Sequence, residues 1–118
     1  MDNIEFAKKL EARTLGFAVL IIRLSAKLPN TPEGRIIREQ LIKAATSIGA
    51  NYREANRSRS KADFRNEIKI CESEASETQY WLEIISQVNL LLTEQMKKEW
   101  QECGELLGIF ISIARGFK

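Results

Sequence analysis

The spacing of its apolar residues restricts this chain to an all-α fold. Apolar positions recur at intervals of three, four or seven along four segments, and no stretch alternates with period two for long enough to predict a β-strand. The four series are Leu10, Phe17, Ile21, Leu24 and Leu28; Ile37, Leu41, Ala44, Ile48 and Ala55; Phe64, Ile68, Cys71, Ala75, Thr78, Leu82, Ile85 and Leu92; and Met96, Trp100, Cys103, Leu107, Phe110, Ala114 and Phe117.

Capping residues separate these segments. Pro29-Asn30 ends the first helix, and Thr31 is a good N-cap for the second, with Pro32 at its first position. Ser60 and Thr93 are the predicted N-caps of the third and fourth helices. Because the connections are short, neighbouring helices are expected to run antiparallel. The sequence thus predicts one domain over residues 1–118, an antiparallel up-down-up-down four-helix bundle.

The composition excludes several kinds of active site. The chain has no histidine, so histidine bases, Ser-His and Cys-His nucleophiles and Glu-x-x-His metal sites are ruled out. We therefore expect no enzyme activity, no cofactor and no metal, the alternative for a metal being a site made of carboxylates alone. If the third and fourth helices fold back at residues 92–93, Cys71 and Cys103 lie roughly 16 Å apart along the bundle axis. A disulfide cannot span that distance, so both are expected to be small core residues.

The chain is predicted to be cytoplasmic. Its longest apolar stretch, residues 17–22, is interrupted by Arg23 and is far too short to span a bilayer. The first residues also lack the basic region of a signal peptide.

A second apolar stripe accompanies the core stripe on three helices. One bundle core needs about one apolar stripe per helix, so the additional stripes predict self-association. The alternative is a wide core stripe in a compact bundle. The second stripes comprise Leu15, Val19 and Ile22; Trp81, Ile84, Val88 and Leu91; and Leu106, Ile109 and Ile113.

The charges are segregated along the chain, although the net charge is only +2. Basic residues dominate positions 35–65 and acidic residues dominate positions 66–105. In the predicted bundle, basic residues therefore lie together at the end that holds the turn between helices two and three. The opposite end holds the acidic residues Glu33, Glu83, Glu94 and Glu99. The residues expected to contact nucleic-acid phosphates are Arg53, Arg57, Arg59, Lys61 and Arg65.

Two readings of the basic end remain open. Tyr52 and Phe64 lie nearby in sequence and are candidates for stacking on a base. The alternative is a solvated rim in which Glu54 and Asp63 partly neutralise the arginines.

Several motifs resemble those of a known bacterial family. The segments are residues 28–34 (LPNTPEG), 47–55 (SIGANYREA), 59–64 (RSKADF), 74–82 (EASETQYWL) and 102–107 (ECGELL). Together they resemble the four-helix bundle proteins related to the 23S rRNA intervening-sequence protein and, more distantly, the accessory variability determinant of diversity-generating retroelements. The resemblance implies a left-handed four-helix bundle, a ring-like homopentamer and a gene often placed within an rRNA intervening sequence. The retroelement relatives imply nucleic acid and a reverse transcriptase as partners.

The motif residues themselves favour structural or interface roles. A glycine inside a helix costs about 1 kcal/mol relative to alanine, so Gly49 predicts a close helix approach, with backbone access for a ligand as the alternative. Asn51 and Glu54 are expected to join a partly buried hydrogen-bond network with Arg53 or the facing helix. The remaining candidates for structural or interface roles are Tyr52, Glu74, Glu77, Tyr80 and Trp81, the two glutamates pairing with arginines of a neighbouring helix or subunit.

These observations leave two leading functions. The first is a non-enzymatic oligomer that binds RNA or DNA through the basic end. The second is a scaffold whose basic rim receives an acidic protein such as a reverse transcriptase. The expected partners are thus other copies of the chain, nucleic acid or a protein, and no membrane.

Overall fold

The computed structural model describes residues 2–116 and contains four α-helices. They are α1 (Asn3–Ser25), α2 (Pro32–Ala55), α3 (Lys61–Gln87) and α4 (Lys97–Arg115), and a 3₁₀ helix, Thr93–Met96, precedes α4. No strand occurs within these residues. The predicted all-α fold with four helices is confirmed.

Side-chain caps fix the starts of α2 and α3 at the predicted residues. The Thr31 hydroxyl oxygen accepts a hydrogen bond from the Gly34 backbone N–H at 3.1 Å, and Pro32 is the first helical residue. The Ser60 hydroxyl accepts from the Asp63 backbone N–H, also at 3.1 Å. Each cap satisfies a backbone donor that the first turn of a helix leaves without an intrahelical acceptor.

The connection from α3 to α4 differs from the prediction. Thr93 does not cap α4; it opens the 3₁₀ helix, and α4 begins at Lys97. Asn89, two residues after the end of α3, has a φ of 56°, a left-handed conformation that asparagine tolerates better than most residues. Since α3 already ends at Gln87, Leu92 lies outside the helix and is 70% exposed rather than in the core.

The core runs the length of the molecule, and every helix contributes to it. Helix α1 packs against α2 and α4, and α3 packs against the same two helices. The largest fully enclosed side chains come from all four helices: Phe17, Ile21, Leu41, Ile48, Tyr52, Ile68, Leu82, Ile85, Leu106 and Phe110.

The core stripe of α4 is rotated from the predicted one. Leu106 is fully buried while Leu107 is only partly so, and Trp100 is 42% exposed. Apolar residues nearly surround the C-terminal half of α4, so periodicity alone could not choose between the two leucines. Phe117, predicted to end this stripe, lies outside the described residues.

The two cysteines are buried and unpaired, as predicted. The Cys71 thiol donates to the Ile48 carbonyl at 3.5 Å, and the Cys103 thiol donates to the Ala75 carbonyl at 3.3 Å. Burial, reinforced by nearby glutamates, raises the pKa of each thiol to about 12. Both residues therefore act as small core side chains that help to join α2 to α3 and α3 to α4.

Within residues 2–116, no helix is both long enough and apolar enough to cross a lipid bilayer.

Candidate nucleic-acid interface

The turn between α2 and α3 presents five cationic side chains to solvent. The turn is short because Arg57 N–H donates to the Glu54 carbonyl at 3.0 Å and Ser58 N–H to the Ala55 carbonyl at 3.1 Å, after which Ser60 caps α3. All five predicted phosphate-contacting residues are exposed, and we refer to them together as the turn cations: Arg53, Arg57, Arg59, Lys61 and Arg65.

None of the turn cations forms an ion pair within residues 2–116. The ion pairs of this part of the chain join Arg13 to Glu102 and Glu105, and Lys69 to Glu72. Glu54 and Asp63, which the alternative reading expected to neutralise the arginines, are exposed and do not pair with them. The positive charge of the turn is thus left available to an anionic partner.

A cleft of about 580 Å³ opens beside this turn, and we call it the turn cleft. It brings together the start of α1, the end of α2, the α2–α3 turn, the start of α3 and the end of α4. Arg59 and Lys61 supply its positive charge, and Phe6 and Phe64 supply aromatic surface. The remaining lining residues are Asn3, Ala7, Tyr52, Asn56, Ser58, Ser60 and Ile113.

Of the two aromatic residues proposed from sequence, Phe64 lines the turn cleft as a half-buried side chain, whereas Tyr52 is buried. Tyr52 is only 2% exposed, and its ring packs edge-to-face on Phe110 at a centroid distance of 5.6 Å. Burial raises its pKa above the ordinary tyrosine value. The ring of Tyr52 is therefore a core group within the protomer. Phe6, which sequence reasoning missed, is 42% exposed, and its position near the start of the first helix is the signal that could have placed it at this end.

The turn cations do not all face one cavity. Arg53 lines a separate groove of about 290 Å³ between α1 and α2, together with Leu15, Val19 and Gly49. Arg59 and Lys61 thus border the turn cleft and Arg53 borders the α1–α2 groove, whereas Arg57 and Arg65 line neither cavity.

Gly49 lies where α1 and α2 come into contact. A Cβ atom added to it would lie 3.0 Å from the Thr14 hydroxyl oxygen and 3.2 Å from the Thr14 Cβ. Such separations are shorter than ordinary van der Waals contact. The absence of a side chain at Gly49 therefore permits the close helix approach that the sequence predicted.

Asn51 and Glu54 do not form the predicted network with a facing helix. The Asn51 side-chain amide donates to the Ser47 carbonyl one turn earlier, at 2.7 Å. Glu54 is exposed, and its carboxylate has no hydrogen-bond or ion-pair partner among residues 2–116. The reason is positional: Asn51 is half-buried but can reach its own helix backbone, and Glu54 faces solvent.

Glu74 and Glu77 interact with residues other than arginine inside the protomer. Burial, and then the charge of Glu77, raise the pKa of Glu74, while a hydrogen bond with Ser47 and the charge of Lys43 on α2 oppose that rise. The Glu77 carboxylate accepts a hydrogen bond from the Trp81 indole at 3.3 Å.

Tyr80 and Trp81 lie side by side with ring centroids 5.5 Å apart. Trp81 is partly buried against the core, whereas Tyr80 is 57% exposed. Trp81 is thus a packing residue of the protomer, and Tyr80 presents its ring to solvent.

Comparison with known proteins identifies the family. The family model described as 23S rRNA-intervening sequence protein matches residues 8–112. The chain belongs to the 23S rRNA-intervening sequence protein family. Among solved structures, it is similar to a protein of unknown function from the S23 ribosomal protein family of Bacteroides thetaiotaomicron, with a TM-score of 0.82 and 36% sequence identity over 88% of this chain and 96% of that chain. A comparison with curated proteins gives no match.

The family match confirms the resemblance seen in the sequence motifs. The matched range of the 23S rRNA-intervening sequence protein family includes all the turn cations, but it begins after Phe6. The exposed aromatic ring of the cleft thus comes from a segment that precedes the family match.

An ion-pair cluster that sequence reasoning missed joins α1 to α4 in this family member. The Arg13 guanidinium donates two hydrogen bonds to the Glu102 carboxylate, both at 2.7 Å, and one to Glu105, also at 2.7 Å. These bonds hold the pKa of Arg13 above its usual value. Glu102 and Glu105 belong to the motif at residues 102–107, where a spacing of three places both side chains on one helix face.

The predicted acidic residues are distributed unevenly. Glu83 and Glu94 border an apolar cleft of about 500 Å³ with Trp100 and Met96. Glu99, expected on the surface, is only 9% exposed because it lies on the core stripe of α4.

No cluster of three or more metal-ligating side chains occurs among residues 2–116.

Proposed function

We propose that this family member is a non-enzymatic, cytoplasmic oligomer that binds nucleic acid, RNA or DNA, through the turn cations. The observation that carries the proposal is the set of five exposed cations without ion-pair partners among residues 2–116. Arginine presents a fork of N–H donors that matches phosphate oxygens, and four of the five residues are arginines. Contacts of this kind position a phosphate backbone without reading its sequence.

The proposed assembly is a homopentameric ring of antiparallel up-down-up-down bundles. The antiparallel arrangement is supported by contacts between α1 and α2, because Asn56 near the end of α2 donates to Glu11 near the start of α1 at 2.9 Å. Correspondingly, Arg38 near the start of α2 donates to the carbonyl of Ser25, the last residue of α1, at 3.1 Å.

Self-association is supported by apolar surface on the outer face of α1. Leu15, Val19 and Ile22 lie on that face and are 40–53% exposed. Contiguous apolar surface of this kind is typical of an interaction site. A ring would repeat the turn cations once per protomer, so one nucleic acid could engage several copies and gain avidity without any new kind of contact.

The proposal is tested by measuring the affinity of the purified protein for a structured RNA and for duplex DNA across a series of salt concentrations. Phosphate contacts predict that the logarithm of the binding constant for duplex DNA falls with the logarithm of salt concentration, with a slope of about −0.9 per contact. No binding to either nucleic acid at low salt would contradict the proposal. It would favour a scaffold whose turn cations receive an acidic protein, such as a reverse transcriptase.

A pair of charge-matched variants assigns the binding surface. The triple reversal Arg57→Glu, Arg59→Glu and Arg65→Glu is expected to abolish binding, because it replaces three attractive charges with repulsive ones. Arg53 is left unchanged because it lines the α1–α2 groove beside the proposed subunit contact. The matched control reverses Lys27, Lys97 and Lys98, which are also exposed and change the net charge by the same amount. If both variants lose affinity equally, the interaction follows net charge and the assignment to the turn is wrong.

A further inference from the structure

The turn cleft combines three features that together fit an unpaired nucleotide. Its volume of about 580 Å³ lies within the range of about 300–1,000 Å³ typical of small-molecule sites. It places aromatic rings and cationic side chains on the same concave surface. Stacking on an aromatic ring and contact with a phosphate are the two interactions by which proteins hold single-stranded nucleic acid.

The aromatic surface comes from two helices that are distant in sequence. Phe6 on α1 is 42% exposed, and Phe64 on α3 is half-buried with its inner side packed against the core. Both line the turn cleft. Phe6 can therefore serve as the stacking face for a base, and Phe64 as a fixed wall beside it.

The cations of the cleft lie on the segment that connects to Phe64. Arg59 and Lys61 border the same cavity, are exposed, and have no ion-pair partner among residues 2–116. A base held against Phe6 would thus have its own phosphate, or the next one, within the positive field of these two side chains.

Three polar side chains that line the cleft, Asn56, Ser58 and Ser60, are engaged in hydrogen bonds within the protein. The Asn56 amide donates to Glu11 at 2.9 Å, and the Ser58 hydroxyl donates to the Glu54 carbonyl at 3.4 Å. The Ser60 hydroxyl oxygen accepts the N-cap hydrogen bond from Asp63. Stacking on an aromatic ring tolerates every base, so the contact that Phe6 offers carries little preference for base identity.

We infer that the turn cleft binds an unpaired nucleotide of a single strand or loop, stacking its base on Phe6 against Phe64 and holding its phosphate with Arg59 and Lys61, with little preference for base identity. This inference rests on the proposed nucleic-acid binding and adds the class of nucleic acid. A fully paired duplex keeps its bases stacked inside and could engage only the cations.

The experiment compares a fluorescently labelled single-stranded RNA of about 12 nucleotides with the same strand annealed to its complement, at one low salt concentration. Phe6→Ala is expected to weaken binding of the single strand by about 5- to 100-fold, the range for loss of one stacked base. Its affinity for the duplex is expected to stay the same. Ile4→Ala is the matched control, because Ile4 is an apolar residue of the same helix, is 70% exposed and is not among the residues that line the cleft.

Three outcomes separate this inference from the proposal on which it depends. Loss of single-strand affinity in Phe6→Ala with unchanged duplex affinity, together with retention of both in Phe6→Tyr, supports stacking, because a folding defect would weaken binding of the duplex as well. Unchanged single-strand affinity in Phe6→Ala, combined with loss in the triple arginine reversal, overturns the stacking and leaves nucleic-acid binding in place. If the unmodified protein binds neither the single strand nor the duplex, both proposals are wrong.

Discussion

Individual residues set the distances between the helices of this protein. Gly49 lets α2 approach Thr14 of α1. This close approach could be predicted from the sequence, because a glycine inside an apolar helix stripe usually marks a place where two helices pack closely. The aromatic residues near the turn were not predictable in the same way. Periodicity places Tyr52 on the buried stripe of α2, four residues after Ile48, but it equally places Phe6 four residues before Leu10, and Phe6 is exposed.

The substitution Gly49→Val tests the close approach directly. We expect the free energy of unfolding to fall by about 2 kcal/mol, because the added side chain must push Thr14 and α1 away. The control is Gly108→Val, since a Cβ atom added to Gly108 meets no atom within 4 Å. Denaturant unfolding of both variants gives the comparison, and equal stability would show that α1 and α2 can separate at no cost.

At the level of whole elements, the starts of the helices were easier to predict than the link between α3 and α4. Thr31 and Ser60 cap α2 and α3 as their sequence context indicates. Thr93 has the same chemistry, but the chain after Asn89 enters a 3₁₀ turn, and the Leu92 N–H bonds to the side chain of Gln95 at 2.8 Å instead. Local propensity does not reveal such a turn, because its geometry is imposed by the packing of Leu91 and Met96 into the core.

The two threonines therefore predict different costs on removal of the side-chain hydroxyl. Thr31→Ala is expected to lower the free energy of unfolding by about 1 kcal/mol, because a backbone N–H at the start of α2 loses its acceptor. Thr93→Ala removes only an exposed bond to Ser86 and is expected to change stability by less than about 0.5 kcal/mol. Thermal or denaturant unfolding measures both, and an equal loss would mean that Thr93 acts as a cap after all.

At the scale of the whole molecule, the number of helices and most of the core were predictable because apolar periodicity is strong on α1, α2 and α3. The rotation of α4 was not, since apolar residues on nearly all of its sides allow more than one core face. For the same reason, the sequence could not decide which of the predicted second apolar stripes are exposed. The outer stripe of α1 was predicted to be surplus to the core, and Leu15, Val19 and Ile22 are indeed exposed, whereas Leu91 and Leu106 from the other predicted stripes are buried.

That outer stripe allows a prediction about assembly. Val19→Glu places a charge in the middle of the exposed apolar face of α1 and is expected to reduce the mass of the protein in solution to that of a smaller species, with helix content unchanged. Lys27→Glu, an exposed change just beyond α1, is expected to leave the mass unaltered. Light scattering combined with circular dichroism measures both quantities. An unchanged mass for Val19→Glu would place the subunit contact elsewhere, and a monomeric unmodified protein would exclude the ring.

The chemical identity of the turn cations has a consequence for conditions inside a cell. The chain contains no histidine, the basic surface consists of four arginines and one lysine, and both buried thiols have a pKa of about 12. Arginine and lysine keep their charge well above neutrality, and no other side-chain type of this chain ordinarily titrates between about pH 6 and 8. The positive potential of this surface is therefore expected to stay the same across this pH range, so an interaction that depends on it should respond to ionic strength and not to acidity.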